Sequence, residues 1–270
     1  MTNKKCLIFA HYHSKGIIRA DIIDFLKKSQ KIFSEIIFVS TKIKKYEIKK
    51  ISKKIKFIRR KNSGFDFCSY RNGWEYLDTK YNNDLSKKDI FFINSSILFI
   101  KPEKLLNAIS KKVLSEKEFW GLSRSFELTD HIGTYCFFFS GILFRNKEIY
   151  NWWKNIEALD DHNKVVSKYE LGLSKLMIKN NIKLCSIYKK NLKLKTNNIL
   201  KKIVQRFNEI FFKTPKYYKK NPANYFWRDF YKKYGIIKIK LIKSNDSKYG
   251  IQKLHSLLKT KNLLKVALDN

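Results

Sequence analysis

The chain has 270 residues, 44% hydrophobic and 15% aromatic, with only three prolines and nine glycines. That composition excludes a disordered chain or long flexible linkers, and allows one large domain or a domain with an extension. The formal net charge of +35 suits an anionic partner, but lysine comes here with much isoleucine and asparagine, as in an AT-rich genome, so part of the charge is coding bias.

In chain order, Lys5 to Ala10 is a compact apolar run that predicts a buried first strand, with His11, Tyr12 and His13 at its end. Ile17 to Phe33 has helical periodicity. Glu35 to Val39 predicts a second strand ending in Ser40 and Thr41. Lys42 to Lys54 reads as a lysine-rich helix, and Ile55 to Ile58 as a third strand. The stretch Asn62 to Trp74 then organises the chain. Asn62, Ser63 and Gly64 form a turn signal, Asp66 falls where a helix N-cap belongs, and Phe67, Tyr70, Trp74, Leu77 and Tyr81 recur at helical spacing.

Asp89 to Ile93 predicts a fourth strand, closing on Asn94, Ser95 and Ser96. A helix near Pro102 to Val113, a strand near Phe119 to Leu122 and a long aromatic strand from Tyr135 to Phe144 follow. Glu148 to Ile156 and Lys164 to Lys179 read as helices and Ile182 to Ile187 as a last strand. Strands alternating with helices predict an α/β fold, a Rossmann-type mixed but mostly parallel sheet with helices on both faces. After Asn191 the pattern becomes helix after helix, with turn signals at Pro215 and Pro222. The division expected is a core of residues 1–190 and a basic helical C-terminal extension of residues 191–270.

Cys6, Cys68, Cys136 and Cys185 are scattered and form no CxxC pair, which predicts free thiols in a reducing cytosol. No apolar run approaches a membrane span, and the N-terminus goes straight into a strand, so a cytoplasmic protein is expected, peripheral to a membrane at most.

Ligands of open α/β sheets bind where strands end and helices begin. There His11 and His13 read equally as ligand contacts or as a polar loop, and Asp66 as a nucleotide contact, a cap or both. Glu170 borders an apolar helix face with Val166, Leu173 and Met177, a setting suited to a general base. His131 follows Glu127 and Asp130 in a local acidic cluster. In the tail, Tyr217, Tyr218, Tyr225, Phe226 and Trp227 read as the core stripe of amphipathic helices, or as a stacking platform for single-stranded nucleic acid.

Several separated pieces together resemble one family, the rhamnan synthesis F proteins, glycosyltransferases of bacterial polysaccharide assembly. They are FAHYH at the first strand end, IIFVST, NSGFDFCS with Phe65 in place of a tyrosine, and INSS in place of Asn-Asp-Ser. Phe119-Trp120-Gly121, HIGTYC, Tyr169-Glu170, and Asn221-Pro222 to Trp227 complete the set. The resemblance implies a GT-A-like fold and transfer of a sugar, rhamnose by the family's name, from a nucleotide-diphosphate donor to a lipid-linked or oligosaccharide acceptor. It places His11, Ser40, Asn62, Gly64 and Asp66 at the donor, and Asn94, Ser95 and Ser96 where such enzymes keep a metal-binding Asp-x-Asp. Ser95 replaces the family's aspartate, so weak or absent dependence on magnesium or manganese is expected, with Arg60 and Arg71 the nearest cations to offset the diphosphate. Glu170 is the expected catalytic base, in an Asp-x-x-Leu-like position, with His131 near the reacting sugar. An anionic membrane surface is an expected partner and nucleic acid is not. The alternatives are a non-catalytic nucleic-acid-binding protein and a degenerate transferase that kept only the fold.

Overall fold

The structure, a computed structural model, describes residues 3–189, 221–244 and 251–260. A seven-stranded sheet runs in the order β10-β6-β9-β4-β1-β2-β3. Its strands are β1 (Lys4–His11), β2 (Glu35–Ser40), β3 (Lys56–Arg59), β4 (Lys88–Asn94), β6 (Glu118–Gly121), β9 (Cys136–Ser140) and β10 (Lys183–Ser186). Only β9 runs antiparallel, to β4 and β6. The expected α/β fold with a mixed, mostly parallel sheet is therefore present.

The central strands are apolar at nearly every position because both faces are covered. Successive side chains alternate across the sheet. Ile8, Ala10, Phe92, Phe137 and Phe139 face one core with Tyr70 and Trp74 of α3 (Phe65–Lys80) and Trp153 of α5 (Lys147–Lys154). The ring of Phe92 stacks on Phe137 at 4.7 Å and on Trp153 at 4.8 Å. Leu7, Phe9, Phe38, Phe91 and Phe138 face the other core with α1 (Ala20–Ser29) and α4 (Pro102–Ser110). At Gly73 a Cβ would lie 2.4 Å from Ile8 Cγ2, so that glycine lets α3 lie close on β1.

Three expectations fail locally. The lysine-rich helix is one turn, α2 (Lys45–Ile48), because the stretch lacks a continuous apolar stripe. The aromatic strand stops at Ser140, and Gly141–Arg145 turn into a 3-10 helix that packs Leu143 and Phe144 into the core. The helix over residues 164–179 is not uniform: α6 (His162–Val165) passes through a π turn, Val166–Leu171, into α7 (Gly172–Lys179).

The tail is not helices alone. Pro222–Tyr225 and Trp227–Tyr234 are helical and bury Trp227, Phe230 and Tyr234. Then β11 (Ile236–Lys238) pairs antiparallel with β5 (Ile97–Phe99), a short strand just after Ser96. Gly235, at φ +68°, makes this possible: its carbonyl accepts from the backbone of Ile100 and Lys101, and a Cβ there would lie 2.4 Å from the Lys101 carbonyl oxygen. Helices Ile239–Ser244 and Ile251–Thr260 follow. Pro215, Tyr217 and Tyr218 lie outside the described residues. Cys6 and Cys136 are buried, Cys68 and Cys185 partly so, and all four are free thiols. No described helix is long and apolar enough to cross a membrane.

An ion pair sits beneath the β4–β5 turn. Arg19 Nε donates to Asp21 Oδ1 at 2.9 Å, while its Nη1 and Nη2 reach the carbonyls of Ser95 and Ile97 at 2.9 and 2.6 Å. Asp21 Oδ2 accepts from the Phe99 backbone at 2.9 Å. The two side chains are 1% and 2% exposed. Asp21→Ala strands a buried guanidinium and is expected to cost about 3–5 kcal/mol. Arg19→Met with Asp21→Leu is expected to cost less than the single change, with urea unfolding as the measurement.

Candidate functional site

The site is built from the turn between β3 and α3. Arg60 braces it: Nε donates to Ser69 Oγ at 2.8 Å, Nη1 to the carbonyls of Lys61, at 2.9 Å, and Ser63, and Nη2 to the carbonyl of Phe65. Gly64 at φ +68° and Phe65 at φ +50° are both left-handed. A Cβ on Gly64 would lie 2.2 Å from Cys68 Sγ and 2.8 Å from Ala158 Cα, so only glycine fits. Gly64 is also the helix N-cap, and no side chain caps the helix. Asp66 is therefore not the cap. It lies inside the first turn and points across to β4, where its Oδ2 accepts from Asn94 Nδ2 at 2.6 Å.

The end of β4 is tied on every side. Asn94 Oδ1 accepts from the Ser96 backbone at 3.0 Å and from Ser96 Oγ at 2.6 Å. Ser95 Oγ accepts from the Tyr12 backbone N–H at 3.0 Å and donates to the Tyr12 carbonyl at 3.1 Å. The Ser96 carbonyl accepts from Ile239 N at 2.9 Å, which fixes the start of a tail helix against this turn.

Glu170 arrives from the π turn, a feature that recurs at functional sites. The extra residue lets Tyr169 pack among Phe67 and Trp152 while Glu170 Oε1 accepts from Thr134 N at 3.3 Å. The Thr134 carbonyl in turn accepts from Tyr70 Oη at 2.9 Å. Lys238, from β11, lies over the Tyr135 ring at 4.3 Å. Asp66, Glu170 and Lys238 are close enough for their charges to act on one another. Burial pushes the Asp66 carboxyl up to about 6; Lys238 and Arg60 oppose this, Glu170 adds to it, and the Asn94 hydrogen bond opposes it. Burial lowers the Lys238 ammonium, against the pull of Glu170 and Asp66. Beside this cluster opens a cleft of about 510 Å³, lined by Tyr12, Asp66, Ser95 and Ser96 from the sheet and by Ile239, Lys240 and Lys243 from the tail.

The structure thus brings Asp66, Asn94, Ser95, Ser96 and Glu170 together, with Gly64 behind Asp66. His11 and Ser40 lie deeper. Both are buried, and His11 Nδ1 is 2.9 Å from Ser40 Oγ. Burial foremost, then Arg19 and His13, lowers the imidazole to about 3, so it is neutral. Asn62 is exposed in the turn. His131 belongs to a small hairpin, β7 (Arg124–Ser125) with β8 (His131–Ile132), where its buried Nδ1 donates to the Thr129 carbonyl at 2.8 Å. Arg71 pairs with Glu75 and donates to the Ile156 carbonyl at 2.6 Å. Tyr12 was placed at the first strand end but not assigned to the site, and Lys238, Lys240 and Lys243 went unread; the basic alternation of Lys238 and Lys240 among isoleucines was the available signal.

A divalent cation would find poor ligands here. Among the described residues, Asp66 is the one carboxylate lining the cleft, Ser95 Oγ is engaged by the Tyr12 backbone, and no group of three or more His, Cys, Asp or Glu side chains converges. The residues at the strand end do not fit the metal that an Asp-x-Asp would hold.

The profile of rhamnan synthesis protein F matches residues 36–260. No curated protein matches the sequence. Among solved structures the chain is similar to a 4-diphosphocytidyl-2C-methyl-D-erythritol synthase (TM-score 0.43, 11% identity, 77% of this chain and 98% of that one). It is also similar to the glycosyltransferase GlyE of Streptococcus pneumoniae TIGR4 (TM-score 0.37, 12% identity, 80% and 52%). A third is the galactosyltransferase LgtC with donor and acceptor sugar analogs (TM-score 0.36, 10% identity, 67% and 72%). The chain spans about half the length of the pneumococcal protein. With TM-scores below 0.5, these three likenesses carry no weight for the chemistry.

The raised Asp66 makes a pH signature. A carboxyl raised in the folded state contributes stability that is fully present below its unfolded value, about pH 4, and lost as pH rises through about 6. Asp66→Asn removes that loss. Relative to the parent, the variant is expected to gain on the order of 1–3 kcal/mol between about pH 4 and pH 7, as read from urea unfolding across that range.

Proposed function

The chain belongs to the rhamnan synthesis protein F family, and from that premise we propose that it is a glycosyltransferase moving a sugar from a nucleotide-diphosphate donor to a growing cell-surface glycan. One observation carries the reading. Asp66, Asn94 and Glu170, from three distant stretches, meet at the end of β4 beside an open cleft, where an open α/β sheet binds ligands.

Asp66 and Asn94 present a coupled polar edge for the donor, and Gly64 allows the chain to approach it closely. Glu170 is the base. As the bond from the sugar's anomeric carbon to the diphosphate breaks, the acceptor hydroxyl forms the new bond on the opposite face, and Glu170 takes its proton. The product is inverted, and the nucleoside diphosphate leaves. The π turn and the Thr134 N–H hold the carboxylate in one orientation, the positioning a general base requires.

The acceptor is a lipid-linked or oligosaccharide glycan, and the lysine-rich surface suits an anionic bilayer, where each nearby lysine contributes about 1 kcal/mol. Nucleic acid is not the partner proposed: of the tail aromatics read as a stacking platform, Trp227 is buried, while Tyr225 is exposed.

A panel of nucleotide sugars tested for thermal stabilisation is expected to yield at least one donor, a ligand at a hundred times its Kd adding about 2.7 kcal/mol. Glu170→Gln keeps the shape and removes the base. Its turnover with that donor is expected to fall about 10²–10⁴-fold while donor binding barely changes. Near-normal turnover would take Glu170 out of the reaction.

A further inference from the structure

If the strand end cannot hold a divalent cation, something else must meet the charge of the donor's diphosphate. The two arginines nearest in sequence do not line this cleft. Arg60 spends its guanidinium on Ser69 and three carbonyls of the turn, and Arg71 on Glu75 and Ile156. The cleft does have cations, and among the described residues they come from the tail. Lys240 and Lys243 line it. They are three residues apart in the helix Ile239–Ser244, hence neighbours on one face. Both are exposed, so a ligand can reach them.

Their placement is built in. The β11–β5 pairing sets Lys238 opposite Ile97, and the Ile239 N–H bonds the Ser96 carbonyl at 2.9 Å. The helix carrying both lysines therefore begins at the strand end where a metal motif would sit. Lys238, one residue earlier, lies over the Tyr135 ring at 4.3 Å, close enough for its charge to act on Asp66 and Glu170. It balances the carboxylates that would otherwise repel a diphosphate.

We propose that Lys240 and Lys243 form a metal-independent subsite for the diphosphate of a nucleoside diphosphate, with Lys238 neutralising the carboxylates behind it. The subsite rests on the transferase reading and deepens it. Charge-assisted contacts of this kind are each worth on the order of tenfold in affinity, and at an exposed site they weaken with salt.

The test is calorimetric titration of the full chain with UDP, GDP and dTDP in EDTA, repeated with magnesium. At least one is expected to bind in EDTA, with little tightening from the metal. Lys240→Gln with Lys243→Gln is expected to weaken it on the order of a hundredfold. Lys53→Gln with Lys54→Gln removes the same charge from a loop away from the cleft and is expected to change affinity less than about threefold, since remote surface charges are screened. Equal losses in the two double variants would reduce the effect to bulk charge and overturn the subsite. So would binding that appears only with magnesium, and in that case the transferase reading stands. If vesicles bearing a polyprenyl diphosphate bind in EDTA and no nucleoside diphosphate does, the subsite belongs to the acceptor and the proposal fails. If no diphosphate of any kind binds with or without metal, the subsite and the transferase reading fall together.

Discussion

The buried pair of Arg19 and Asp21 is the constraint on which the site depends. Two charges under 3% exposed are costly to desolvate and are tolerated only when every polar atom is matched. Here the remaining hydrogen-bonding capacity goes into backbone: two carbonyls and one N–H of the segment from Ser95 to Phe99. That segment is the exit of the central strand. Holding it rigid gives Asn94 a fixed orientation toward Asp66 and fixes β5 where β11 pairs with it. The pair thus trades desolvation for a defined turn.

Once β5 is fixed, the tail has a place to return to. Without β11 the cleft would be an open strand end with Asp66 and Glu170 facing water. With it, Lys238 lies over the Tyr135 ring within reach of their charges, and Ile239, Lys240 and Lys243 form a second wall. Residues that line the cleft are then far apart in sequence, Tyr12 and Asp66 near the start of the chain and Ile239, Lys240 and Lys243 in the tail. The aromatic residues of the tail serve the same end, since Phe230 and Tyr234 pack on the sheet face held by Phe91 and Phe138.

Much of the fold was legible because central strands must be apolar on both faces. The runs at Lys5 to Ala10, Glu35 to Val39 and Asp89 to Ile93 could hardly be anything else, and the face of Phe67, Tyr70, Trp74 and Leu77 is buried as its spacing implies. What was hidden had no periodic signal. Three residues, Ile97–Phe99, look like the trailing end of the previous strand, and their partner lies more than a hundred residues away. Asp66 looked like a cap because caps are recognised by residue type, whereas the left-handed pair Gly64 and Phe65 starts the helix earlier and turns the carboxylate to Asn94. The π turn at Glu170 is silent in any α-helical projection, and it is the reason Tyr169 and Glu170 go different ways. His11 was read as a ligand contact or part of a polar loop because it follows a strand, yet the strand continues through it and buries the ring.

The charge of the chain is the feature most easily misread, and its geometry decides what it can do. At physiological salt a field falls off within about 8 Å, so most of the lysines spread over the surface do not act at the cleft. Those that do are set by backbone pairing: Lys238 across from Ile97, Lys240 and Lys243 on the helix begun at Ser96. Lys238 is also partly removed from water, where its influence on Asp66 is felt as a pull against burial. A diphosphate entering here would meet Lys240 and Lys243 on one wall and Asp66 on the other, a carboxyl that burial raises to about 6 against the pull of Lys238. That juxtaposition is set by backbone pairing, and no count of basic residues would reveal it.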